Sequence, residues 1–102
     1  MDKYLKRSVD IDDIDSIIDK INLIDIREPY EYEDYSIKTA KNIPMKLLLA
    51  QPEKYLNKDK EYYILCEHAV RSSSACYALD EMGYNVVNVL RGMSEYYGVN
   101  SN

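Results

Sequence analysis

The chain has 102 residues, which suits one compact α/β domain and is too short for two. A formal net charge of −5 argues against non-specific binding to nucleic acid or to an anionic membrane. No apolar run approaches the length of a transmembrane helix. The two cysteines, Cys66 and Cys76, do not read as a disulfide framework, and a reducing, cytoplasmic setting is expected.

Met1 to Arg7 reads as a loose arm with no apolar stretch behind its charges, so no secretory signal is expected there. Ser8 to Ile11 can form a short strand. In Asp12 to Asp19, Ile14, Ile17 and Ile18 fall at helical spacing, and acids sit at the start, where the helix dipole favours them. Those acids read as a solvated face. Asn22 to Ile26 reads as a buried strand with Asp25 set among apolar neighbours. A carboxylate in that position needs a partner, and Arg27 is the nearest cation in sequence. Pro29 can open a short helical turn over Tyr30 to Tyr35. Asn42-Ile43-Pro44 should leave a short strand and enter a helix over Met45 to Ala50, which Gln51-Pro52 interrupts. Glu53 to Lys60 is a polar connection.

Tyr62-Tyr63-Ile64-Leu65 reads as a buried central strand that ends on Cys66. The next loop, Glu67-His68-Ala69-Val70, runs to Arg71-Ser72 and then into a helix over Ser73 to Met82. Ala75, Cys76, Leu79 and Met82 share one face of that helix, so Cys76 reads as core. Gly83 is placed to stop the helix. Val86, Val87 and Val89 make a last strand, and Gly92 to Tyr97 a final short helix. The alternation of strands and helices predicts a parallel sheet covered on both faces. No His/Cys spacing points to a metal. Eleven tyrosines without Trp or Phe are unusual and carry no functional reading.

A cysteine at the junction of a strand, a loop and a helix start is a specific chemical device. Loop amides and the helix N-terminus supply positive potential to the sulfur, which favours the thiolate, its nucleophilic form. Arg71 adds a planar fork suited to an oxyanion. Ser72 most simply caps the helix start and alternatively donates to the sulfur. Glu67 opposes an anion here, and a protonated His68 would offset it.

Cys66 to Ser72 resembles the active-site loop of the rhodanese-homology (sulfurtransferase) family, whose single-domain members often carry Cys-x-x-Gly-x-Arg-Ser. Leu23 to Glu28, Tyr30-Glu31-Tyr32 and Ala40 to Pro44 resemble the family's first signature. Gly83 to Leu90 and Gly92 to Tyr96 resemble its C-terminal one. The resemblance spans about residues 8 to 98, leaving 1–7 as an N-terminal arm and 99–102 as a tail. It implies a single α/β rhodanese-like domain with a mostly parallel sheet of about five strands and helices on both faces. It also implies sulfane-sulfur transfer through a Cys66 persulfide, with Glu67, His68, Ala69, Val70, Arg71 and Ser72 forming the substrate loop. Asp25 and Arg27 would support that loop without reacting. No cofactor is implied. The expected partners are a small sulfur-containing anion or a persulfide donor, and a protein that gives or takes sulfur, with neither nucleic acid nor membrane.

The chain departs from the family pattern in places. Ala69 stands where the family often has glycine, and a positive φ there would cost Ala about 1 kcal/mol. Tyr35-Ser36-Ile37-Lys38-Thr39-Ala40 replaces Gly-His-Ile-x-Gly-Ala, so those turns must differ. One glycine of a Gly-Gly pair remains at Gly92, and Tyr96 stands where a Trp is usual. Phosphatases and arsenate reductases of related fold use Cys-x5-Arg, whereas Cys66 to Arg71 is the shorter Cys-x4-Arg, sized for a single sulfur. A non-catalytic interaction or regulatory module on the same scaffold is the alternative function.

Overall fold

The computed structural model describes residues 7–101. Five strands form one fully parallel sheet: β1 (Ser8–Asp10), β2 (Leu23–Asp25), β3 (Lys41–Asn42), β4 (Glu61–Leu65) and β5 (Asn85–Leu90), in the order β1-β5-β4-β2-β3. The helices are α1 (Pro29–Asp34), α2 (Met45–Ala50) and α3 (Val70–Glu81). β4 is the central strand, as its apolar run requires of a strand covered on both faces. Its carboxyl end is the end at which open parallel sheets bind ligands.

Side chains alternate across the sheet and make two cores. Tyr62, Ile64 and Cys66 pack on one face against Ala75, Cys76 and Leu79 of α3 and Leu48 of α2. Leu65 and Val89 pack on the other, against Ile11, Ile14, Ile37 and Met93, with Tyr32 of α1 at its edge. Ala75, Cys76 and Leu79 are buried as their shared face predicts, but Met82 is not. It lies one residue beyond α3, where Gly83 turns the chain at φ +94°.

Two stretches expected as helices are shorter than the periodicity implies. Asp12 to Asp19 forms two 3-10 turns, Ile11–Asp13 and Ile18–Lys20. Ile11, Ile14 and Ile18 are buried all the same. Asp and Ser compete with a helix for backbone groups: Ser16 Oγ donates to the Asp13 carbonyl at 2.8 Å. Residues 92–97 hold one 3-10 turn, Met93–Glu95.

The ends of the described chain are docked. The Arg7 carbonyl accepts from Asn88 N at 2.8 Å, and its guanidinium pairs with Glu61 at 2.9 Å. The rest of the expected arm, residues 1–6, lies outside the described residues. The expected tail is also held from Val99 to Ser101. Asp15 accepts from Val99 N, from the Asn100 amide and from the Tyr96 hydroxyl at 2.7–2.9 Å. Ser101 bridges Ile37. Among the described residues no helix is long and apolar enough to cross a membrane.

Candidate active site

The site is built at the carboxyl end of β4. Cys66 is fully buried, and its Sγ receives the Ser72 amide at 3.2 Å. Ser72 Oγ lies 3.3 Å from the same sulfur. Ser72 is the third residue of α3 and has no exposed surface. Its hydroxyl faces the thiol and does not cap the helix, whose N-cap is Ala69 without any side-chain cap. The sequence expectation that Ser72 chiefly caps is therefore corrected. The helix begins at Val70, inside the expected loop, so α3 delivers one of its first free amides directly to sulfur.

The loop closes because Ala69 adopts φ 68°, ψ 3°, the left-handed conformation that the family's glycine would take. By contrast, Tyr35 avoids positive φ, at −162°, so that turn is rebuilt. The loop's first residues are held from a distant segment. Arg91 and Gly92 take φ 69° and 68° in succession. The chain then turns back so that Met93 N reaches the Cys66 carbonyl at 2.8 Å and Ser94 N the Glu67 carbonyl at 3.0 Å. A Cβ on Gly92 would lie 2.4 Å from the Cys66 oxygen, so this approach needs glycine. Arg91, at the first position of the family's glycine pair, is anchored by Asp10 and Asp12 at 2.7–2.9 Å.

Asp25 finds the partner its burial demands. Arg27 donates through Nε and a terminal nitrogen to both its oxygens at 2.8–3.1 Å. Arg27 is itself 2% exposed and also donates to the Tyr35 carbonyl at 2.6 Å and to Glu67 at 3.1 Å. Glu67 is thus not an uncompensated charge beside the thiol. Arg27 ties it to the underside of the loop.

Arg71 is not an open fork. Its two terminal nitrogens donate to the two oxygens of Glu31 at 2.9 Å each. The Arg71 guanidinium holds the Glu31 carboxyl down at about 2, well below the usual range. Arg71 is raised in turn, chiefly by its hydrogen bonds to Glu31. Glu31 was visible only as part of Tyr30-Glu31-Tyr32. His68 and Val70 are exposed. Cys76 stays in the core, where burial pushes its thiol up to about 12.

Fold and site together define a parallel α/β domain that presents a strand-end cysteine to the first turn of a helix. Residues 5–98 match the rhodanese-like domain family, and the chain belongs to that family. It is 38% identical over 96 residues to the "Putative sulfurtransferase YtwF" of Bacillus subtilis, spanning 92% of this chain and 84% of that protein. It is 35% identical over 86 residues to the mitochondrial thiosulfate sulfurtransferase RDL2 of Saccharomyces cerevisiae, covering 72% of this chain and 58% of that protein. The crystal structure of a rhodanese-like domain protein from Staphylococcus aureus superposes with a TM-score of 0.84 at 27% identity, over 94% of this chain and 96% of that one.

Proposed function

We propose that this protein is a sulfurtransferase that carries sulfane sulfur as a persulfide on Cys66. The observation that supports it most is the double contact of Ser72 with a buried strand-end sulfur: its N donates to Sγ at 3.2 Å, and its Oγ accepts from the thiol at 3.3 Å, a hydroxyl that can donate in turn once the sulfur carries no proton. With the helix N-terminus, these Ser72 groups are placed to stabilise charge borne on sulfur during transfer, as oxyanion-hole donors do for oxygen. In the first half-reaction the thiolate attacks the outer sulfur of a donor. With thiosulfate, the bond between outer and central sulfur breaks, and sulfite leaves with the electron pair. In the second, a nucleophile such as cyanide or a thiolate attacks the outer sulfur of the Cys66 persulfide and restores the thiolate. One nucleophile serves both steps. Asp25 and Arg27 position the loop through Glu67, and no cofactor enters either step.

Intact-mass measurement after incubation with thiosulfate or a persulfide tests this reading. Wild type should gain about 32 Da, one sulfur atom, reversed by cyanide, and Cys66→Ala should not, as a covalent intermediate on that thiol requires. No gain from either donor would favour a non-catalytic scaffold on the same fold.

A further inference from the structure

We propose that Glu31 is a specificity-determining residue, which occupies the Arg71 fork and so selects small-molecule persulfides over doubly charged inorganic donors such as thiosulfate. The inference rests on the sulfurtransferase reading above and deepens it. A free guanidinium would be the natural anchor for a dianion at the mouth of this loop. Here both of its terminal nitrogens are already paired, at 2.9 Å each, with a carboxylate on another element.

That carboxylate is not a loose surface charge. Glu31 Oε1 also accepts the Glu28 amide at 2.8 Å, which fixes it to the first turn of α1. Arg71 keeps it ionised down to about pH 2. The second guanidinium nearby gives no relief, because Arg27 is buried between Asp25 and Glu67. Two guanidiniums therefore face three carboxylates around the loop. A dianion entering this mouth must displace Glu31 from Arg71 and meets net negative charge, before any charge on Cys66 is counted. A persulfide, RSSH, has no such need. The Cys66 thiolate attacks its outer sulfur, the donor's S–S bond breaks, and RS− leaves with the electron pair. The sulfur arrives on Cys66 with at most one negative charge. Tyr30 and Val70, the chain neighbours of the pair, are 74% and 72% exposed.

Glu31→Gln tests this directly, since glutamine keeps the shape and an oxygen for the Glu28 amide. Steady-state assays with thiosulfate and with 2-hydroxyethyl persulfide should show KM for thiosulfate falling about tenfold in the variant, which corresponds to about 1.4 kcal/mol of removed discrimination. The kcat/KM for the persulfide should stay within twofold. An unchanged thiosulfate KM overturns the proposal. A rise in KM for both donors does so too, because it would make Glu31 a positioning residue for Arg71. Binding of inorganic sulfate, followed by NMR titration, needs no turnover. Glu31→Gln should bind it about tenfold more tightly, and Glu31→Gln with Arg71→Gln should lose that gain. Equal sulfate affinity in wild type and Glu31→Gln overturns the proposal whatever the donors do. Transfer that persists in Cys66→Ala would instead overturn the persulfide reading, and the sulfate titration would still decide the role of Glu31.

Discussion

Gly92→Ala is the substitution whose cost the geometry defines best. The added Cβ would lie 2.4 Å from the Cys66 carbonyl oxygen, 2.6 Å from the Glu67 oxygen and 2.7 Å from the Glu67 carbonyl carbon. Carbon–oxygen contacts of this kind settle at about 3.3 Å, so backbone must separate by about 0.9 Å. None of the three atoms is the end of a flexible side chain. The separation pulls Met93 N and Ser94 N off their acceptors, each worth about 1 kcal/mol. Alanine at φ 68°, ψ −167°, a region essentially reserved for glycine, adds about 1–3 kcal/mol. The total is about 3–5 kcal/mol, a large part of the roughly 5–15 kcal/mol that holds a domain together. Urea unfolding followed by far-UV circular dichroism should show the midpoint falling by about 2 M, for a typical denaturant slope. Sulfur transfer should fall with it, because the displaced carbonyls belong to Cys66 and Glu67. A loss below about 1 kcal/mol, with transfer intact, would refute the claim that this approach positions the loop.

Ala69→Gly should act in the opposite direction. Relief of the left-handed alanine returns about 1–2 kcal/mol, and the freer unfolded chain takes back about 0.4–1, leaving a gain near 0.5–1 kcal/mol in the same urea experiment. Asp25→Leu should cost about 3–5 kcal/mol by stranding the buried Arg27, and adding Arg27→Met should recover part of that loss. If the double variant is the less stable of the two, the stranded charge is not the cause. Glu31 predicts a pH dependence. Its folded carboxyl is depressed from 4.5 to about 2, so its contribution is fully present above pH 4.5 and is lost as pH falls through about 2. Urea midpoints of wild type should therefore fall more steeply than those of Glu31→Gln across that window, and parallel curves would refute the pairing as a source of stability.

Most of the framework was legible because it rests on local rules. The central β4 is an unbroken apolar run, and Ala75, Cys76 and Leu79 sit at helical spacing. Gly83 stops α3 because it can take positive φ, and Asp25 had to find a cation because it was flanked by buried residues. What could not be read depends on where distant segments meet. Nothing near Arg71 in the chain says that Glu31, forty residues earlier, will fill its fork. Ser72 looked like a cap because capping is what serine does at most helix starts. It turns to the sulfur because α3 begins at Val70, which leaves Ser72 inside the first turn. The Asp-rich stretch after β1 had helical periodicity but not helical chemistry, and Asp15 serves the docking of Val99 and Asn100 instead.

The back-turn at Arg91 and Gly92 bears on the order in which the molecule can be completed. β5 lies between β1 and β4, so until it is in place β1 has no neighbour in the sheet. The amides of Met93 and Ser94 follow β5 and reach back to residues made 27 positions earlier. A chain emerging from the ribosome therefore has its nucleophile before it has the two amides that fix the backbone of Cys66 and Glu67. The Cys66 and Glu67 carbonyls have no access to the amides that hold them until the chain has been made through Ser94.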